Sequence, residues 1–300
     1  YVMVDWQMVG GKFRAPVTFY NDENVTPEDF QWGLYSRSEE GEIEFASRIR
    51  TQRYHESMMV RLFENYGSAV EPRPVVVTWE GRVGVVNPET GEQSEVRAYP
   101  ASQNPVREFN NMTAAREFAE ETPNAQVGGI QGLPAEWVEA LEHYRLVYAT
   151  NYQGQSLVKT FERVPGASVE GSGATPGQEV RATVEMEKPS GQTFQYTQFA
   201  EADENGNFEL HLPYSTTGYD NFGPENGYTN TAVEATGPYR IQTRATADGL
   251  WVTRDVGELD VSEAKVVGED DTAATVELEE QILDCPAGDP ECPIDEDGNG

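Results

Sequence analysis

The sequence predicts an α+β protein with three parts. These are a mixed α/β central domain over residues 1–163, an immunoglobulin- or transthyretin-like β-sandwich over 164–260, and an acidic flexible tail over 261–300. Three observations carry this reading. Apolar β-branched runs alternate with helical periodicities in the first half. Beyond Lys159 the apolar residues recur every second position. From Asp255 to Gly300, sixteen carboxylates stand against one lysine, and few large apolar residues follow Ile282.

The elements follow in order. Val2-Met3-Val4 and Pro74 to Trp79 have strand composition, and Arg145 to Ala149 resembles them. Tyr54, Met58, Met59, Leu62, Phe63 and Tyr66 recur at three- and four-residue spacing, which predicts a helix stopped by Gly67. A short helix is predicted over Thr113 to Glu121. Another is predicted over Pro134 to Tyr144, with proline in its first turn and Trp137, Val138 and Leu141 for burial. In the second half, Val180, Ala182, Val184 and Met186 alternate with polar residues. Phe194 and Tyr196 do the same, as do Phe208, Leu210 and Leu212. Asp203 to Asn207, with Asn-Gly at its centre, predicts a hairpin turn. Tyr239 to Ala245 and Leu250 to Val252 continue the period of two, and short strands with Gly, Pro and Asn turns suit a small sandwich.

Fifty-two acidic residues against 21 basic ones give a formal net charge of −31. Such a chain repels phosphate backbones and anionic lipid, so no nucleic-acid partner is expected. The only lysines are Lys12, Lys159, Lys188 and Lys265. Abundant carboxylates hold water at the surface, which suits concentrated salt, where screening shortens to about 3 Å at 1 M. No apolar run is long enough to span a bilayer. The chain starts without an initiator Met, in the middle of a strand-like segment, and reads as a piece of a longer protein.

Generic catalytic patterns are missing. There is no nucleophile elbow, phosphate loop or zinc-binding His-Glu-x-x-His, and no catalytic or metal-ligating residue is assigned within the chain. His55, His143 and His211 fall in different elements, and the first two read as surface or satisfied residues on helices. Cys285 and Cys292, with six residues including two prolines between them, suit a small disulfide loop in an oxidising compartment, and two cysteines cannot form a zinc site. Asn24-Val25-Thr26 and Asn111-Met112-Thr113 are glycosylation sequons, although Asn111 also suits a helix N-cap.

One segment stands apart. Tyr1 to Phe13 carries Asp5, Met8 and Lys12 at the spacing D-x-x-M-x-x-x-K, which would share one face of a helix. Gly10 and Gly11 weaken that helix, leaving open a single turn or a kink. An acid, a pliable thioether and an ammonium together could clamp a short polar segment.

This segment resembles the second signature motif, in its Asp/Met variant, of the catalytic subunit of archaeal oligosaccharyltransferases. Four further stretches resemble the salt-loving branch of the same family: Ala125 to Ile130, Leu141 to Val147, Val158 to Ala167, and Leu212 to Asp220 continuing over Pro224 to Asn230. The likeness covers residues 1 to about 260. It implies the soluble C-terminal part of an enzyme that moves a lipid-linked oligosaccharide onto Asn of Asn-X-Ser/Thr. That part would lie on the extracellular face of the cell membrane. By the same resemblance, Met8 touches the acceptor's Ser/Thr, while Asp5 and Lys12 shape the pocket. The family's Trp-Trp-Asp-Tyr-Gly signature is not in this chain, and the ligands of its divalent cation (Mg²⁺ or Mn²⁺) lie in the membrane part. The fragment by itself is therefore expected to be inactive. The rival reading is a secreted surface or adhesion protein whose immunoglobulin-like module binds a partner without chemistry.

Overall fold

Strands carry most of the architecture in the computed structural model, which describes residues 1–13, 25–86, 91, 93–249 and 251–285. The chain divides into two compact units. One comprises residues 1–6, 62–69 and 139–300, the other residues 7–61 and 70–138. The expected domain boundary near residue 163 is therefore displaced. Residues 139–163 pack within the unit that contains 164–300, held by Arg145 donating to Glu263 and the Leu146 amide donating to the Tyr214 hydroxyl.

In the smaller unit, strands β2 (Gln31–Arg37), β3 (Ile43–Arg50), β5 (Gly81–Val86) and β6 (Gln93–Pro100) form a sheet in the order β3-β2-β6-β5. Strands β4 (Val75–Thr78), β7 (Val106–Glu108) and β8 (Ala125–Val127) form a second, β7-β4-β8. The consecutive valines 75, 76 and 77 are all buried, as a continuous apolar run requires. Trp32, Leu34, Ile49, Val75, Val77 and Ile130 make one core cluster. Full burial of such side chains contributes about 1.5–3 kcal/mol each.

The helix expected over Tyr54 to Tyr66 is two short ones, α2 (Gln52–Glu56) and α3 (Met58–Phe63), broken at Ser57, whose backbone is extended. The hydroxyl of Ser57 donates to the Tyr54 carbonyl at 2.7 Å, an alternative to the helical ladder. Helix α4 (Met112–Glu121) forms as expected. The helix expected over Pro134 to Tyr144 does not form. The Ala135 and Glu136 amides donate to Gln52 Oε1 at 3.1 and 3.0 Å, and Val138 bridges Val70 as a strand would. Tertiary hydrogen bonds override the local pattern.

The larger unit opens with β1 (Val2–Asp5), which pairs with β10 (Val158–Arg163), itself paired with β9 (Tyr144–Ala149). Strands β11 (Ala167–Ser172), β14 (Phe208–Leu212) and β19 (Ala274–Glu277) form the sheet β14-β11-β19. A seven-stranded sheet follows the order β13-β12-β16-β18-β17, built from β12 (Glu179–Glu187), β13 (Thr193–Glu201), β16 (Tyr239–Thr243), β17 (Thr246–Asp248) and β18 (Trp251–Leu259). Strand β15 (Glu234–Ala235) pairs with β12, and β20 (Glu279–Asp284) pairs with β18. Val180, Ala182, Val184 and Met186 all face inward, as the period of two predicts. In the turn after β13, Asp203 Oδ1 accepts from the Asn205 and Asn207 amides, each at 2.8 Å. Gly206 there has φ +80°, and a Cβ would stand 2.2 Å from the Ala174 carbonyl oxygen, so only glycine closes it.

The tail expected from residue 261 is structured through Asp284. Helix α5 (Glu263–Val267), β19 and β20 occupy it. Its apolar residues are few but alternate. Ala274, Val276 and Leu278 are buried while the intervening Thr275 and Glu277 face water. Composition hid strand β19, whose one carboxylate, Glu277, faces water. Residues 286–300 lie outside the described residues.

Candidate site around the N-terminal motif

Strand β1 ends at Asp5, whose register partner is Val158. The Trp6 amide donates to the Leu157 carbonyl at 3.0 Å, and a single helical turn, α1 (Trp6–Val9), follows. Gly10 and Lys12 amides both donate back to the Gln7 carbonyl, at 3.2 and 2.8 Å. The motif is thus strand, one turn and loop rather than a helix carrying all three side chains. The two glycines stop the helix, as their flexibility requires.

The loop is anchored by apolar contacts. Phe13 is buried in a cluster with Phe30, Tyr54 and Val60, against which Val9, Val25 and Met59 pack. Its ring lies 4.8 Å from that of Tyr54 and 5.6 Å from that of Phe30. The Tyr54 hydroxyl donates to the Val9 carbonyl at 3.2 Å. Asp5 and Met8 are half-buried and Lys12 is exposed. Tyr1, Met3 and Trp6 nearby are at least half exposed.

Opposite Val4 in the ladder stands Lys159, which the sequence reading did not single out. It is 3% exposed. Its ammonium donates to the Phe63 carbonyl and lies 3.3 Å from the Tyr66 ring centre. Lys188, also buried, reaches the Tyr66 hydroxyl at 3.5 Å. Burial, and then the charge of Lys188, depresses the Lys159 amine to about 7, against a smaller opposing pull from Glu64. An unfolded lysine titrates near 10.4, so between about pH 7 and 10 the unfolded chain binds the extra proton and stability rises with pH. Denaturant melts in molar KCl are expected to show a gain of about 2 kcal/mol from pH 7 to 9. Lys159→Met should flatten that slope. The same slope in the variant would refute the assignment.

His143 and His211 meet, rings 6.0 Å apart, at a hollow of ≈ 250 Å³, and His143 Nδ1 contacts the Pro165 carbonyl at 2.7 Å. His143 sits in a turn rather than on a helix. His55 is neither exposed nor satisfied. Its Nε2 has no partner among the described residues, and burial, then Arg50, lowers its pKa to about 4, so the ring is neutral. Asn111 caps α4, its Oδ1 accepting from the Ala114 amide at 2.9 Å. Asn24 and Cys292 lie outside the described residues, and Cys285 is not a free thiol. Among the described residues, no cluster of three or more His, Cys, Asp or Glu could hold a metal, and no helix is long and apolar enough to cross a membrane.

Comparison with known proteins gives this geometry a setting. Residues 166–270 match the family described as archaeal glycosylation protein B long peripheral domain. The chain is 42% identical, over 324 aligned residues, to the dolichyl-monophosphooligosaccharide–protein glycotransferase AglB of Haloferax volcanii. The match takes in 95% of this chain and 30% of that protein, so the chain spans about a third of its relative. Among solved structures, the Archaeoglobus fulgidus oligosaccharyltransferase in complex with Zn and sulfate is 18% identical, with a TM-score of 0.49 over 92% of this chain and 33% of that one. The same enzyme tethered to an acceptor peptide containing the NVT sequon scores 0.48, again at 18% identity, over 92% of this chain and 31% of that one.

Proposed function

Because the chain belongs to the family of archaeal glycosylation protein B, we propose that it is the extracytoplasmic part of an oligosaccharyltransferase and that its N-terminal motif helps grip the acceptor. The reading extends to the whole protein. A lipid-linked oligosaccharide is transferred to Asn of Asn-X-Ser/Thr in acceptor polypeptides, at the cell membrane, with this part on the extracellular face. The lipid-linked donor and the Mg²⁺ or Mn²⁺ belong to a membrane part outside these residues. Among the described residues no cluster of three or more His, Cys, Asp or Glu could hold a cation.

The observation that carries the role is the local build of the motif. A rigid strand delivers Asp5, a single turn presents the half-buried Met8, and a loop pinned by Phe13 offers the exposed Lys12. Met8 can fill an apolar gap beside a small hydroxy-residue, and its adaptable thioether tolerates both Ser and Thr. Asp5 and Lys12 bracket it in the chain with opposite charges. Nothing in this build breaks or forms a bond, so the contribution is recognition and no catalytic residue is assigned.

The same proposal takes residues 164–260 as a sandwich-type module and Cys285 as bonded to Cys292. It also takes Asn24 and Asn111 as candidate glycan carriers. The cap at Asn111 uses only the carbonyl oxygen and leaves the amide nitrogen for the glycan.

The test is Met8→Ala in the full-length membrane enzyme. Acceptor-peptide kcat/KM is expected to fall about ten-fold, the loss of one buried contact worth about 1.4 kcal/mol, with binding of the lipid-linked oligosaccharide retained. Unchanged acceptor kinetics would remove the role.

A further inference from the structure

Beside Gly10 and Gly11, the two glycines that stop α1, lies a hollow of ≈ 370 Å³ lined by Gln31, Trp32, Gly33, Tyr35, Phe45 and Arg48. It is at the small end of the roughly 300–1,000 Å³ typical of ligand pockets. Its origin is legible in the β2–β3 ladder. Gly33 stands opposite Arg48, and Tyr35 opposite Phe45, with a bulge between Leu34 and Tyr35. A glycine opposite a long side chain leaves a gap on the outer face of the hairpin, while the neighbouring Trp32, Leu34 and Ile49 point into the core. The extra residue of that bulge is Ala46 on β3, and Tyr35, two positions after Gly33 on the same face of β2, lays its ring over the gap. A Cβ at position 33 would stand 2.7 Å from Tyr35 Cε2. Phe45, 58% exposed, meets Tyr35 edge-on at 5.6 Å.

Two features make this more than a dent. Phe45 is among the large apolar side chains left in water, and it sits at the mouth. Arg48 is exposed and pairs with no carboxylate among the described residues, although the chain carries 52 acidic residues. In so acidic a protein, an exposed guanidinium beside an aromatic wall is set for an incoming carboxylate, which it can take with two parallel N–H donors.

We propose that this hollow is a subsite for the side chain of an acidic residue, Asp or Glu, flanking the acceptor's sequon. The proposal rests on the acceptor-gripping role of the motif above and extends it by a second contact. The carboxylate would meet Arg48, and its methylenes would lie against Tyr35 and Phe45. The flat glycine backbone of residues 10, 11 and 33 would admit the acceptor main chain; a Cβ at Gly11 would meet nothing within 4 Å.

The experiment uses the full-length enzyme in molar KCl. The acceptors are synthetic peptides with one Asn-Ala-Thr sequon and one Glu, Gln or Lys stepped through successive flanking positions. At one register the wild-type enzyme is expected to prefer Glu over Gln by about five-fold in kcat/KM, the scale of a partly exposed ion pair. Arg48→Gln should bring that ratio to about one, and Arg48→Glu should turn it toward Lys. Arg48 is a surface residue, and a thermal melt checks that both variants stay folded. If Glu and Gln are used equally at every position, or the preference survives Arg48→Gln, the subsite is refuted. When that happens and Met8→Ala still weakens acceptor use, only the subsite falls. Should Met8→Ala also have no effect, the acceptor-gripping reading falls with it.

Discussion

Replacing Arg145 by alanine is expected to destabilise the larger unit by about 3–5 kcal/mol, the usual cost of stranding buried charges. For a unit of this size that corresponds to a fall in Tm of roughly 10 °C. Arg145 on β9 is 1% exposed. Its Nε and Nη2 donate to Glu162 Oε2 on β10, at 2.9 and 2.7 Å. Its Nη1 donates to Glu263 of α5 at 2.8 Å, and Glu263 is 3% exposed. Burial, and to a smaller extent the charge of Glu162, pushes the Glu263 carboxyl upward, and the Arg145 guanidinium opposes that shift. Without the cation, Glu263 must take up a proton or sit charged in an apolar site, and Glu162 faces it. The destabilisation should therefore be smaller in acid, where protonation relieves the repulsion. A triple change, Arg145→Met with Glu162→Gln and Glu263→Gln, should recover most of the loss, since well-packed neutral groups often replace a buried triad at little cost. A denaturant midpoint for Arg145→Ala within about 0.5 kcal/mol of the parent would show that the triad contributes no net stability.

The second large effect is salt. With a formal charge of −31, the fold is expected to lose stability steeply as KCl falls from molar levels to about 0.1 M, where the screening length grows from about 3 to about 10 Å. A drop in Tm of 10 °C or more is expected, of the order that a few kcal/mol of added repulsion produces. Sodium sulfate and KCl at equal ionic strength separate screening from surface-exclusion effects. Equal melting temperatures in low and high KCl would remove the halophilic reading.

How far the sequence disclosed all this depended on where each signal came from. Strands that alternate strictly, such as 179–187, were legible because burial follows the same period. Helix α4 was legible because its cap, Asn111, is local. The segment 134–144 was not, because its amides are claimed by Gln52, which lies more than eighty residues earlier. Strands β19 and β20 were masked by carboxylates that composition counts and geometry turns outward. The motif residues Asp5, Met8 and Lys12 were found by resemblance and spacing, while the strand-turn-loop build came only with the coordinates. Arg48 and Lys159 carried no sequence signal. One matters because its ladder partner is a glycine, the other because a distant carbonyl and two aromatic rings enclose it.

The larger unit is discontinuous: it holds residues 1–6, gives way twice to the smaller unit, and resumes for good at Glu139. Strand β1 therefore leaves the ribosome with no mate, since Val2 pairs with Phe161. At synthesis rates of about 5–20 residues per second, that wait lasts roughly ten to thirty seconds. During this interval the segment that will carry Asp5 and Met8 is an open apolar edge, while most of the nested unit has already emerged. Assembly order is thus written into the connectivity. Strand β1 is made well before its partner β10 and cannot pair until synthesis has run through the nested unit.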